Sequence, residues 1–427
     1  MTARAPPRVA PAETLSHRAD TVSTQGYLMS ETALPSHTIA RFGGVSMAEV
    51  ALAVGGFGIG TGEFAIMGLL PQVAQDLDVS VPHAGIVISA YALGVVVGAP
   101  LIAVVAARYA RHTVLLTLMA LFAAGNLASA LVPSFGLLVT ARFLAGLPHG
   151  AYFGVAALVA AGMVAPHQRG RAIGRVMMGL TIATLLGTPL TAWFGQTLGW
   201  RAAFAIVGGI SLLTIVLTLL FVPRDKGNPA SSPLRELGAL RKPQVWLTLG
   251  ICAIGSGGMF ATFSYITPAL TEVAGLSLSR VPLMLSVFGA GMILGNIIGA
   301  RLADWSLLKA IGIGLVFNLA ALLLFYATMN SPMMATFNIL SIGFGFLMIP
   351  AMQTRLMDVS GDAQTLAAAL MHSAFNLANA LGAWLGGVSI AAGYGWTSTG
   401  LVGAVMAVLG IGIFAVSVAA ERRSRSA

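Results

Sequence analysis

Charge is what this sequence has least of. Its 427 residues include 23 Lys and Arg and 14 Asp and Glu, so 9% of the chain is charged, against about 25% in an average soluble domain. A soluble fold of this length has a large surface, and so few charged side chains cannot cover it. The scarcity excludes a water-soluble globular enzyme as the main body. A long disordered protein is excluded as well, because that class combines high charge with low hydrophobicity. Cysteine is almost missing. Cys252 stands alone in an apolar segment, so no intrachain disulfide framework can form. The chain also lacks GxxxxGK[ST], HExxH, CxxC and GxSxG, the marks of a primary pump, a metal site or a serine hydrolase. No cofactor, no metal and no enzymatic chemistry are expected.

What is present is apolar residue, 57% of the chain, with a mean hydropathy of +0.87. It falls into segments of about 20 residues, the length that crosses ~30 Å of hydrocarbon as a helix. The expected spans are 47–70, 84–107, 113–133, 137–163, 171–195 and 202–222, then 244–270, 280–303, 307–328, 333–355, 365–391 and 397–419. The fold class is therefore an all-α polytopic membrane protein with twelve transmembrane helices. Residues 1–45, rich in Ala, Pro, Ser and Thr, read as a disordered tail without an apolar run of signal-peptide length. Residues 223–243, PRDKGNPASSPLRELGALRKP, form a polar linker. The expected organisation is a six-helix bundle over 46–222, the linker 223–243, a second bundle over 244–420, and a short tail at 421–427.

The halves repeat. SAYALGVVVG at 89–98 aligns with SVFGAGMILG at 286–295, which pairs Gly94 and Gly98 with Gly291 and Gly295 at an offset of 197. Gly199-Trp200 aligns with Gly395-Trp396 at an offset of 196. An even number of spans per unit makes this a parallel repeat, with both halves inserted the same way.

The net charge of +9 would suggest nucleic acid in a soluble domain. Here its position decides. Every Lys and Arg except Arg142, Arg201 and Arg280 falls in the N-terminal tail, in or beside an even-numbered connection, or in the C-terminal tail. The positive-inside rule then puts both termini and the linker in the cytoplasm. The basic excess faces anionic lipid headgroups, and no nucleic-acid partner is expected.

An ionisable residue inside a span is costly and is a functional candidate by default. Glu63 in span 1 and Arg142 in span 4 are the clearest, both in the outer half of their spans. Together they would hold and release a proton in a water-filled cleft; the alternative is a permanent ion pair that fixes helix packing. His149 lies two turns beyond Arg142 on the same face, placed either for proton relay or for bonding to a neighbouring carbonyl. Pro148 beside it should kink span 4, and Gly146, Gly150 and Gly154 form a small-residue ladder for close packing. Gly179, Gly187 and Pro189 make span 5 bendable or statically kinked. Asp304 at the cytoplasmic end of span 8 would cap the next helix or pair with a cytoplasmic arginine to hold a closed state, whereas Ala107 takes its place in the first half; Arg108 is a further gate candidate. Phe64, Tyr152, Tyr265, Asn376 and Asn379 are the candidates to line a substrate cavity; Tyr91, Trp193 and Trp384 are further aromatics of that kind. Either cavity contact or packing accounts for any one of them.

Twelve spans in two parallel sixes around a cytoplasmic linker resemble the major facilitator superfamily. GEFAIMGLLPQVAQDL at 62–77 resembles the span-1 signature of its sugar-efflux and drug–proton antiporter branch, in particular arabinose-efflux-permease-like proteins. ARFLAGLPHGAYFG at 141–154 resembles that branch's span-4 motif, and MGLTIATLLGTPLTAWFGQTLGWR at 178–201 its span-5 antiporter motif, with Thr188 where many members carry Gly. The cytoplasmic loop motif is similar at Leu302, Ala303 and Asp304, with Ala300 at its Gly place; in the first half GAP at 98–100 and Arg108 and Arg111 remain. The resemblance covers about 46–420. It implies two bundles rocking about a midplane cavity and proton-coupled efflux of small organic molecules across a bacterial inner membrane, with Arg142 as the coupling arginine and a monomer as the working unit. Uptake or facilitated transport, and a non-transporting receptor or scaffold, are the alternatives.

Overall fold

The computed structural model describes residues 41–42, 45–106, 108–165, 168–227, 238, 240–361 and 364–426. Twelve helices in it are long and apolar enough to cross a membrane. Spans 1 to 6 are Met47–Gly68, Val81–Ala106, Arg111–Leu131, Phe135–Gly162, Arg169–Leu198 and Trp200–Phe221. Spans 7 to 12 are Pro243–Ser264, Leu278–Trp305, Leu307–Thr328, Pro332–Ser360, Leu366–Ala391 and Ser398–Arg423. Helices are the form such segments must take, because lipid offers no partner to an open backbone group. The expected tail and linker lie mostly outside the described residues. Arg41–Phe42 and Val45–Ser46 pair as two short antiparallel strands before span 1. For orientation, the face on which span 1 begins and span 12 ends is called the tail face, and the opposite one the far face.

The glycine pairs that mark the repeat occupy equivalent packing positions. A side chain on Gly94 or Gly98 would run into the carbonyls of Phe143 and Leu147, and one on Gly291 or Gly295 into those of Leu340 and Phe344. Gly146 returns the contact to the Tyr91 carbonyl, and Gly343 to that of Phe288. Spans 2 and 4 therefore approach backbone to backbone as spans 8 and 10 do, residue for residue at an offset of 197. The Gly-Trp pairs mark a second correspondence. The Trp200 indole donates to Asp76 at 3.1 Å, and the Trp396 indole donates to Glu272 at 2.7 Å. In each half a carboxylate just beyond the first span is thus tied to the start of the sixth.

Several spans are interrupted where a neighbour or a proline demands it. Span 4 consists of Phe135–Gly146 and His149–Gly162, broken at Leu147-Pro148. Span 10 is broken by the tight turn Gly345–Met348 at the repeat-equivalent place. Span 5 contains a π-helical turn at Ala183–Gly187, just before Pro189. There Gly187 faces the Thr61 hydroxyl and the Phe57 ring of span 1. Pro189 cannot donate its amide, and the wider turn accommodates the loss.

The core is distributed unevenly along the bundle. At the far face one apolar cluster draws on both halves, joining Ile66, Met67 and Leu70 to Phe263, Ile266 and Leu285. Toward the tail face each half keeps a cluster of its own, one around Leu115, Tyr152 and Val176, the other around Ile251, Leu315 and Met352. Hydrogen bonds between the halves occur at the far face and along one seam. Near the far face Thr267 donates to the Met67 carbonyl at 3.1 Å. Along the span 2–span 11 seam Ser89 donates to Ala380 at 3.1 Å and Ser373 to Val96 at 3.3 Å. The halves share a core at the far face; toward the tail face each has a core of its own, and they meet along the span 2–span 11 seam.

Candidate functional site

Span 1 is glycine-rich from Gly55 to Gly62, and the small residues let its neighbours crowd in. Glu63 follows directly and is buried. It faces the seam between the halves, where Asn379 of span 11 donates to its Oε1 at 3.5 Å. Of the carboxylates in the described spans, Glu63 is the one that lies away from a span end.

Arg142 is fully buried. The expected Arg142–Glu63 ion pair is absent from the pairs closer than 4.0 Å among the described residues. The guanidinium instead donates to the Gly62 carbonyl at 2.9 Å and to Asn126 Oδ1 at 3.4 Å. Its carbon sits 4.2 Å from the centroid of the Tyr91 ring and 5.1 Å from that of Phe204. Neutral dipoles and ring faces hold the cation, and its charge acts on Glu63 through space. That arrangement leaves the carboxylate unclamped.

The break at Pro148 starts a new helix at His149. Tyr91 OH lies 3.0 Å from His149 Nδ1, so Tyr91 meets Arg142 with its ring and His149 with its hydroxyl. Across the seam, the His372 ring of span 11 is 5.9 Å from His149 and stacks on Phe153 with an interplanar angle of 6°. Glu63, Tyr91, Arg142, His149, His372 and Asn379 form one polar group at the meeting of spans 1, 2, 4 and 11.

The second half has no counterpart to it. At an offset of 197, Phe260 stands for Glu63, Phe288 for Tyr91, Ile339 for Arg142 and Phe346 for His149. Phe346 meets both other phenylalanines, 6.5 Å from Phe260 and 6.2 Å from Phe288. Phe263 extends this cluster by stacking on Phe288 at 3.7 Å.

The cavity candidates separate by location. Phe64 meets Phe263 edge-on across the halves at 6.1 Å. Asn376 and Asn379 lie on the seam, and the Oδ1 atom of each is buried without a hydrogen-bond partner. Tyr152 instead lies within the first half, where its hydroxyl donates to the Leu52 carbonyl at 2.9 Å among that half's own core. Tyr265 belongs to the far-face seal and donates to Ala383 at 2.8 Å and to Pro82 at 3.5 Å.

The tail-face candidates also differ from expectation. The helix after Asp304 is capped by Ser306, whose hydroxyl accepts from the Lys309 amide at 3.5 Å. Asp304 and Arg108 are exposed, and no ion pair joins them among the described residues. In the first half the linker supplies the acid that the loop lacks: Asp225 accepts from the amides of Arg111 at 2.9 Å and His112 at 3.1 Å. Glu49 and Arg175 join spans 1 and 5, and Arg355 and Glu421 join spans 10 and 12 at 2.7 Å.

Residues 52–362 and 249–427 match the family model of the Major Facilitator Superfamily. The chain belongs to this family. It is a multi-pass membrane transporter, and members of the family carry small molecules across membranes without enzymatic chemistry. It is 38% identical over 363 residues to the inner membrane transport protein YdhP of Escherichia coli K12, covering 85% of this chain and 93% of that one. It is also 37% identical over 257 residues to a chloramphenicol resistance protein of Streptomyces lividans, covering 59% and 66%. Among solved structures, a bacterial homologue of the human lysosomal transporter Spinster, inward-facing and unoccupied, superposes with a TM-score of 0.70 over 87% of this chain and 96% of that one at 18% identity.

Three residues in or beside the polar group escape a reading of the sequence as a string. Asn126 is one of many polar residues in the spans. Tyr91 looks like any cavity aromatic. His372 looks like a neighbour of two asparagines. The available signal was the repeat itself, because Tyr91 and His149 are polar where the second half is aromatic.

Proposed function

We propose that this transporter is a proton-coupled exporter of small organic molecules in a bacterial inner membrane. Glu63 carries the proton, and the observation that supports this is its burial at the seam with a single bond from the opposite half and no salt-bridge partner among the described residues. A carboxylate so placed is costly when charged and empty of cargo, and protonation or an occupied cavity relieves that cost. Arg142 biases Glu63 from a fixed position, and Tyr91 and His149 link it toward the tail face. Asn376 and Asn379 offer unpartnered oxygens to a cargo with hydrogen-bond donors. Export is the direction suggested by the name of the chloramphenicol resistance relative.

In this reading residues 46–222 and 244–420 are two bundles that rock about the seam, with the linker 223–243 and both termini in the cytoplasm. The tail face is then the cytoplasmic one, and the described conformation is closed to the outside. Gly179, Gly187 and Pro189 let span 5 change its packing on span 1, and Arg108 and Asp304 sit where the cytoplasmic side opens and closes.

The test is a resistance and efflux screen in a host lacking its own exporters, with chloramphenicol as the first probe. Any exported compound is then followed in proteoliposomes under an imposed pH gradient. Glu63→Gln should abolish gradient-driven efflux while inserting normally; full proton-driven transport by that variant would remove Glu63 from its role.

A further inference from the structure

His372 belongs to the half that otherwise has aromatics where the first half has its polar group. It sits seven residues before Asn379 on span 11, about 10 Å of helical rise closer to the tail face than the residue that bonds Glu63. His149 is level with it, since the adjacent Gly150 faces the His372 Cβ. Buried His149 is bonded to Tyr91, whereas His372 is partly exposed. The imidazole nitrogens of His372 make no hydrogen bond among the described residues, and Phe153 holds the ring flat from one side.

The groups that face it are few. From span 4 it meets His149; one hydrogen bond further is Tyr91 of span 2, and beyond that are Arg142 and Glu63. The charged pair of its own half, Arg355 with Glu421, is tied to Gln244 and span 12. The other direction is shut, because the far face is filled by a core shared between the halves.

We propose that His372 passes the proton between the buried Glu63–Tyr91–His149 group and the tail face. It would accept a proton from His149 on one ring nitrogen, directly or through one water, and release one from the other nitrogen to solvent; its charge is then unchanged and its tautomer inverted, and a ring flip or a passage in the reverse direction resets it. Because donor and acceptor histidines stand on opposite halves, the route exists while spans 4 and 11 are together and is broken when they part. This proposal rests on the reading of Glu63 as the proton carrier.

The test needs no cargo. In proteoliposomes, the carboxyl stretch that disappears in Glu63→Gln is followed by infrared spectroscopy after a pH jump on the tail-face side. With His372→Gln, proton exchange at Glu63 should slow at least tenfold while its titration midpoint holds, and millimolar imidazole should restore the rate. Phe153→Leu, which frees the ring without removing it, should slow exchange less. An unchanged rate in a folded His372→Gln overturns the relay and leaves Glu63 in place. Slowing that imidazole cannot rescue in either His372→Gln or His372→Asn also overturns it, since a packing defect would behave so. If no Glu63-dependent band titrates in the parent protein, the carrier reading fails and the relay fails with it.

Discussion

Arg142 shows how a buried cation can be held without spending a carboxylate on it. Two hydrogen bonds and two ring faces fix the guanidinium, and the planar fork is what reaches Gly62 and Asn126 together. Lysine has no such fork. Arg142→Lys should insert and fold yet lose at least tenfold in proton-driven efflux, with transport down a cargo gradient less affected; equal loss in both assays would mark a packing role. A different residue, Asp76, gives a stability test. Its carboxyl is held below the usual carboxylate range, chiefly by the hydrogen bond from Arg201 and then by that from Trp200. A lowered folded pKa contributes stability that is present above the unfolded value and is lost as pH falls through the folded one. Melting measured from pH 7 to pH 3 should therefore decline less steeply in Asp76→Asn than in the parent, and start lower. The side chain is 47% exposed, so solvent screening keeps the effect small. At this scale Glu63 and Arg142 were legible as charges out of place. Their separation was not, because the sequence gives depth along a helix but not the rotation that sends Arg142 toward Gly62.

Elements behave as their glycines allow. The three glycines of the span-4 ladder have unlike surroundings. Gly146 abuts the Tyr91 backbone, Gly150 abuts Ala99 and His372, and Gly154 has open space around it. Gly146→Ala should cost about 1–3 kcal/mol, as overpacking does, and show as lower yield and melting temperature. Gly154→Ala should change neither; destabilisation at Gly154 would contradict the packing described. The twelve spans were legible from length and hydropathy, and the breaks at Pro148 and Pro189 from their prolines. That the break before Pro189 takes the form of a π turn at Ala183–Gly187 was not, since its shape also answers the contact of Gly187 with span 1. The cap on the helix after span 8 was misplaced by two residues, because Ser306 competes with Asp304 and adopts the extended backbone a cap requires.

The whole molecule is closed at one end by few polar contacts and much apolar area. Among the described residues, Thr267 to Met67 at 3.1 Å is shorter than the other hydrogen bond between the halves at the far face, Tyr265 to Pro82 at 3.5 Å. Thr267→Val keeps the shape and removes that bond, worth about 1 kcal/mol. The population open at the far face should rise about fivefold, read as longer spin-label distances between spans 1 and 7; unchanged distances would assign closure to the apolar core alone. The twofold repeat explains why so much of the architecture was legible, since each half predicts the other. It also explains what was hidden, because the candidate site lies where the two copies differ.

That difference sets a limit on work. With Glu63 as the proposed carrier, the single carboxylate of the described seam, matched by phenylalanine in the other copy, would move one elementary charge per turnover. Moving that charge through a membrane potential is worth about 2.3 kcal/mol per 100 mV, and a tenfold gradient costs about 1.4 kcal/mol. If the proposed proton exchange holds, an uncharged cargo can be held at a roughly fifty-fold gradient per 100 mV when the two sides share one pH.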